Sequence, residues 1–324
     1  MIFTEENLKT YAKPLGKTEQ IQCENAIRMV IDALKDFGFN KVSKMILLEA
    51  EGASYETKMK HGVLGFDIKI FLQGSYANNT NVRGYSDVDI AIVEEDQFRG
   101  LYREHIGPAN YGFINVENRQ AEFKKEVYNA LIYKFSEGVE WKNKSIKING
   151  NSYRKDIDAV PALRYRNYLK DFYFDVNNYQ EGIVIEADDG TEVINYPEQH
   201  IRQGIEKNKE TNYWYKKMVR VFKELRYKME ECRYPYASKI SSFGVESLIF
   251  NVPNSYFWSA NLDRPYISRV ENIINYLQQA KVNGLFSIFT EANGIKHLCD
   301  NPKIDLEVFE EFIDELRSYF EYEL

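Results

Sequence analysis

Apolar residues recur at Cys23, Ile27, Val30, Ile31 and Leu34, the spacing of one face of a helix, and predict a helix over 18–37 with Thr18 as cap and Gly38 as stop. The run FDIKIFL at 66–72 alternates as a half-buried strand does and leads into Gly74-Ser75. VDIAIV at 88–93 is nearly all apolar and β-branched, which predicts a central strand buried on both faces. Residues 94–116, with Gly100, Gly107, Pro108 and Gly112, read as a long loop, and 119–135 as a second helix. Strands at 145–148 and 153–160 flank Asn149-Gly150, a pair suited to a two-residue type I′ turn, and a second hairpin is expected around Asp188-Asp189-Gly190. Beyond Thr211 helical spacing dominates, over 211–231, 242–252, 265–280 and 304–322. In the last of these, Leu306, Phe309, Ile313, Leu316 and Phe320 share a face, so this acidic stretch should pack as an amphipathic helix.

Strands mixed with helices, followed by helices alone, predict an α+β fold of two lobes, divided here as 1–170 and 171–324. A chain of 324 residues is long enough for two packed units. No apolar run approaches the length of a membrane span, and the first residues lack the apolar core of a signal peptide. Cys23, Cys232 and Cys299 form no disulfide framework, and with four histidines no zinc pattern, so a reducing cytoplasm is the expected location. The net charge of −7 argues against an extended basic surface for nucleic acid but leaves room for small anions held through metal ions.

The chemistry concentrates in QGSYANNTNVRGYSDVDIAIV, residues 73–93. Asp87 and Asp89 stand two apart at the head of a strand and so project from the same face. Two adjacent carboxylates repel unless a cation neutralises them, and a hard divalent ion such as Mg²⁺ does so with oxygen ligands. Gly74 permits close approach of backbone to a phosphate, and Ser75 offers a hydroxyl and an N–H. A lone Gly-Ser is an ordinary turn and a lone D-x-D a solvated strand end; strand, Gly-Ser, fixed gap and D-x-D together form a much narrower pattern. A two-metal site calls for a third carboxylate. RKDIDAVPA at 154–162 offers Asp156 and Asp158, of which Asp158, followed by an apolar run, is the stronger candidate.

The series GSx₁₁DxD with a later D-x-V-P-A resembles the polymerase-β-type nucleotidyltransferases. YPEQH at 196–200, MVRVFK at 218–223 and SSFGVE at 241–246 extend the likeness to the cGAS/DncV-like nucleotidyltransferases, most nearly the CdnE clade. The resemblance implies a two-lobed enzyme with its active site between the lobes. Asp87, Asp89 and Asp158 would hold two Mg²⁺, with Mn²⁺ able to substitute, and Gly74 and Ser75 would contact the donor phosphates. A ribose hydroxyl would attack an α-phosphate twice, closing a ring, with UTP, ATP or GTP as substrates. The product would be a cyclic oligonucleotide, a dinucleotide by expectation, that activates a downstream effector in CBASS-type antiphage defence.

Between Asn212 and Glu230, Trp214, Met218, Phe222, Leu225 and Met229 form an apolar stripe, with Lys216, Arg220 and Lys223 on nearly the opposite face. By spacing alone that row is a solvated face or a phosphate grip. The resemblance implies that Arg220 and Lys223 hold the donor triphosphate, with Lys216 a weaker candidate. Ser242 would touch the same phosphates and Phe243 would stack on the donor base. Asn195, ending a predicted strand, would read a pyrimidine edge and so imply a uridine-containing product. Transfer to an RNA or protein acceptor is the rival activity, and an RNA acceptor should leave a basic track that this chain lacks. A nucleotide-binding pseudoenzyme is disfavoured because all three carboxylates are present. The absence of a zinc insertion or basic surface predicts no nucleic acid activator. The terminal Glu321-Tyr322-Glu323-Leu324 predicts no conjugation through a small C-terminal residue.

Overall fold

The computed structural model describes residues 3–42, 46–48, 54–84, 87–300 and 305–323. Leu324, on which the expectation about conjugation falls, lies outside them. The chain forms two compact units that interleave along the sequence: 16–77 with 87–198, and 1–15 with 78–86 and 199–324.

The first unit is a mixed sheet, of ten strands among the described residues, with helices packed against it. Its strands are β1 (Phe39–Lys41), β2 (Ile46–Leu48), β3 (Ser54–His61), β4 (Phe66–Leu72), β5 (Val88–Leu101), β6 (Val139–Trp141), β7 (Ile146–Ile148), β8 (Ile157–Asn167), β9 (Gln180–Glu186) and β10 (Glu192–Asn195). They run in the order β1-β3-β4-β5-β8-β7-β6, with β2 on β3 and the β9–β10 hairpin on β8. Every pairing is antiparallel except β5 with β8, whose parallel register brings the heads of both strands to the same end of the sheet. Phe71, Ala91, Val93, Val160, Ala162, Ile183 and Ile185 form a buried cluster on the sheet. Pro161 falls between the end of β7's pairing at Ala159 and the start of β9's at Leu163, a stretch of β8 where its missing N–H disrupts neither ladder.

The central strand extends beyond its apolar half. Residues 94–101, expected as loop, continue β5 through a register shift between Glu94 and Phe98. Tertiary ion pairs hold this polar half: Arg99 meets Glu186 at 2.5 Å and Glu192 at 3.0 Å, and Arg164 bonds Glu95. The β7–β8 hairpin is present but does not turn on Asn149-Gly150. Neither residue has positive φ, β8 begins at Ile157, and a loop over 149–156 is closed by Asn151 N–H donating to Arg154 O at 2.8 Å. The second hairpin turns where expected, with Gly190 at φ +80°.

Two helices contact each other against the sheet, α2 (Lys17–Asp36), which also touches β4 and β5, and α4 (Gln120–Phe135), which also touches β8. The N-cap of α2 is Gly16 rather than Thr18. The short helix α3 (Gly74–Asn78) follows β4.

The second unit is helical: α1 (Glu5–Tyr11), most of α5 (Pro197–Glu210), α6 (Tyr215–Glu231), α7 (Pro235–Lys239), α8 (Ser242–Phe250), α9 (Pro265–Val282) and α10 (Leu306–Glu323). The apolar stripe of α6 meets Val245, Leu248, Ile273, Leu277, Ile313 and Leu316 in one core. α6 starts later than its periodicity suggests, because Asn212 and Tyr213 have left-handed φ of +50° and +63°. Thr211 Oγ1 accepts from Tyr215 N–H at 3.0 Å, so the polar turn caps the helix instead of extending it. Among the described residues no helix is long and apolar enough to cross a membrane.

Candidate active site

Parallel pairing of β5 with β8 sets Asp89 directly opposite Asp158. Asp87 stands two residues before Asp89, and Val88 N–H donates to Asp156 O at 2.8 Å, which ties this strand head to β8. Burial raises the Asp89 carboxyl to about 7, helped by the charges of Asp158 and Asp87. Burial also raises Asp158, a hydrogen bond from Ser145 opposes it, and the Asp87 charge adds to it. The three carboxylates that the sequence singled out therefore sense one another across two strands.

Gly74 is required here by contact as well as by conformation. Its φ is +67°, and a Cβ at that position would lie 2.5 Å from Asp89 Oδ2. Gln73 N–H donates to Asp89 O at 3.0 Å, so the Gly74-Ser75 turn is fastened to the acidic strand. Ser75, on α3, is half-buried.

Two residues of β7's approach were not anticipated. Ser145 Oγ donates to Asp158 Oδ1 at 3.2 Å. Lys147, the register partner of Asp158, places Nζ 3.2 Å from Asp87 Oδ2 and 4.0 Å from Asp156 Oδ2. The signal was their i, i+2 spacing at the polar end of a strand, which aims both toward one face. Among the described residues no three Asp, Glu, His or Cys side chains close on a common point at metal-ligand distance; Asp87 turns to Lys147. The donor set itself fits a hard divalent cation: carboxylate oxygens, on neighbouring strand heads, with like charges in excess.

Asn195 closes β10 opposite Ile183 and is half-buried. Ser242 opens α8 with its Oγ 3.1 Å from Tyr227 Oη. Phe243 is half-buried and meets the His200 ring edge-on at 5.3 Å.

The basic row on α6 differs most from expectation. Lys216, Arg220 and Lys223 are only 4%, 4% and 2% exposed, so this is not a solvated face. Arg220 donates through Nε to Ala12 O at 2.8 Å and through Nη1 to Asn79 O. Lys223 Nζ lies 2.5 Å from Glu246 Oε2, itself 1% exposed. Both cations bond protein partners in this structure, Lys223 through Glu246 and Arg220 through two backbone carbonyls. Glu246 and His200, present in the motifs but without an assigned role, complete this cluster. The signal was a lone acid in the apolar helix SFGVESLIF, which demands a buried cation.

A mixed sheet with carboxylates at the heads of adjacent parallel strands, a glycine turn against them and a separate helical unit define a polymerase-β-type nucleotidyltransferase. The nucleotidyltransferase domain family matches residues 55–155, and the cGAS/DncV-like nucleotidyltransferase C-terminal helical domain matches residues 202–321. The chain is 42% identical to cyclic GMP-AMP synthase CdnE03 of Staphylococcus schleiferi, over 99% of this chain and 98% of that one. It is 34% identical to the cyclic dipyrimidine nucleotide synthase CdnE of Legionella pneumophila, over 91% and 90%. Among solved structures, the CdnE cyclic dinucleotide synthase of Elizabethkingia meningoseptica with GTP and Apcpp superposes with a TM-score of 0.71 at 30% identity, covering 99% of this chain and 98% of that one. This chain belongs to the cGAS/DncV-like nucleotidyltransferase family.

Proposed function

We propose that the protein joins two nucleoside triphosphates into a cyclic dinucleotide that serves as a second messenger in bacterial antiphage defence. The observation that carries this reading is the register pairing of Asp89 with Asp158, with Gly74 seated against Asp89. In each of two rounds a ribose hydroxyl loses its proton and forms a bond to an α-phosphorus, while the bond to the β-phosphate oxygen breaks and pyrophosphate leaves. Two Mg²⁺ held by Asp87, Asp89 and Asp158 would, when bound, stabilise charge on the attacking and leaving oxygens. No protein nucleophile is needed.

The chain's own residues orient the substrates. The Gly74 turn brings backbone close to the donor phosphates, and Ser75 and Ser242 add hydroxyl donors. Phe243 stacks on the donor base, a contact worth about 1–3 kcal/mol that does not discriminate among bases. Asn195 supplies an amide that both donates and accepts, the group suited to reading a pyrimidine edge. The relatives differ in the bases their names carry, purine in one and pyrimidine in another. The product's base composition is therefore the first thing to measure. The action belongs in the cytoplasm, where NTPs and a cyclic-nucleotide-activated effector meet.

Incubation with all four NTPs and Mg²⁺, followed by mass spectrometry, tests the reading. The expected product is a small, phosphatase-resistant cyclic dinucleotide without polymer; a linear polymer, or transfer only to added RNA or protein, overturns it. Asn195→Ser should shift the base composition, and an unchanged product would remove Asn195 from base selection.

A further inference from the structure

We propose that Ser145 is a positioning residue for Asp158, and that Lys124 of α4 holds Ser145 in place by clamping the turn between β6 and β7. The proposal rests on the reading of Asp87, Asp89 and Asp158 as the metal-holding carboxylates.

Ser145 Oγ donates to Asp158 Oδ1 at 3.2 Å. A donor on one oxygen fixes the plane of a carboxylate and with it the direction of the other oxygen, which is how the partners of a ligand set its geometry toward an ion. Asp158 is half-buried, and Asp89, its register partner, is a like charge that repels it. A fixed orientation beside Asp89 therefore calls for a donor.

Ser145 itself lies outside the ladder. It is the residue before β7, and β7 pairs with β8 through Ile146, Lys147 and Ile148. On its other side β6, also three residues long, ends the strand order. So narrow an edge leaves the place of Ser145 to whatever holds the turn at 142–145.

Lys124 holds that turn from beneath. Its side chain is only 4% exposed, and each of the three N–H bonds of its ammonium has an acceptor. These are Lys142 O at 2.8 Å, Asn143 O at 3.0 Å and Asp188 Oδ1 at 2.7 Å. The other Asp188 oxygen accepts from Trp141 Nε1 at 2.6 Å, and the Trp141 ring lies 4.4 Å from the same ammonium. Asn143 extends the grip to the β9–β10 hairpin, its carbonyl accepting from Asp188 N–H at 3.1 Å and its Oδ1 from Asp189 N–H at 3.2 Å. Lys142 N–H donates to Ser145 O at 2.9 Å, which closes the turn and carries the restraint to Ser145.

Ser145→Ala, Lys124→Met and the two combined test this. Three quantities are read: Mn²⁺ affinity without nucleotide, amide hydrogen exchange across 142–147, and the melting temperature in EDTA. Ser145→Ala should weaken Mn²⁺ binding about tenfold or more while exchange and melting stay near wild type. Ser145→Thr, which keeps the hydroxyl, should restore most of that affinity. Lys124→Met should speed exchange across 142–147 and weaken Mn²⁺ binding by a similar factor, yet add little further loss to Ser145→Ala. Wild-type Mn²⁺ affinity in Ser145→Ala overturns the proposal, since a merely structural hydroxyl changes melting and not metal binding. Unchanged exchange in Lys124→Met, or an undiminished further loss when it is added to Ser145→Ala, removes Lys124 from the positioning role. If Lys124→Met does not fold, Asp188→Ala at the exposed end of the clamp replaces it, with the same expected pattern and the same refuting one. A wild-type protein that binds no Mn²⁺ sinks the metal-holding reading itself, whereas wild-type binding undisturbed by Ser145→Ala sinks this proposal alone.

Discussion

Asp89 in the sheet unit and Glu246 in the helical unit are both carboxylates drawn out of water, and their surroundings treat them oppositely. Asp89 is raised by burial and then further by Asp158 and Asp87, with no cation bonded to it among the described contacts. Burial would raise Glu246 as well, yet Lys223 and His200 hold it well below the usual carboxylate range. Burial alone therefore does not say what an acid is for. Partners decide: Asp89 stands among like charges, whereas the charge of Glu246 is already met by Lys223.

The largest effect expected is on the acidic side of this contrast. Asp87→Ala with Asp89→Ala should lower turnover on the order of 10³-fold or more while the melting temperature in EDTA stays level or rises, because like-charge repulsion is relieved. Calorimetry alongside a pyrophosphate assay reads both, and a collapsed melting temperature would make these residues structural. Next comes Gly74→Ala, which drives a methyl toward Asp89 Oδ2 at a left-handed φ. A displacement of this size should cost roughly 10²-fold in kcat, with a stability loss of only about 1 kcal/mol. Retained kcat would mean that the close approach to Asp89 carries no function.

The smallest effect isolates burial from both kinds of partner. Glu94 is 1% exposed, and among the described residues neither carboxylate oxygen has a hydrogen-bond partner. Burial raises it to about 7, against an opposing pull from Arg119. The folded protein keeps a proton that the unfolded chain sheds above about pH 4.3, so stability should fall as pH rises from there through about 7 and level off beyond. Glu94→Gln should flatten that decline, by a few degrees in melting temperature between pH 5 and 8. An unchanged profile would assign the pH dependence to the acidic cluster instead.

Legibility along the chain followed the same division between local pattern and distant partner. The 66–72 strand, the apolar head of β5, α4 and the late helices announce themselves because each carries a continuous buried stripe. β3 did not, because its inward positions include Thr57 and His61 alongside Tyr55 and Met59, which breaks the apolar alternation. α5 was missed for a related reason: Gln199, His200 and Asn208 are buried polar residues whose place is earned by hydrogen bonds. The second half of β5 reads as polar loop until Arg99, Arg164 and their acidic partners are seen.

Residue spacing alone determined the α+β class, the Gly74-Ser75 turn and the pairing of Asp87 with Asp89, since these depend on strand periodicity and glycine stereochemistry within a few residues. It also offered Asp158, but not its place opposite Asp89, which only the parallel register of two strands some seventy residues apart supplies. Tertiary structure likewise decided that Arg220 and Lys223 lie buried against Asn79, Ala12 and Glu246. The face of a helix that meets water and the face that meets protein can carry the same charges, and only the packing of distant segments tells them apart.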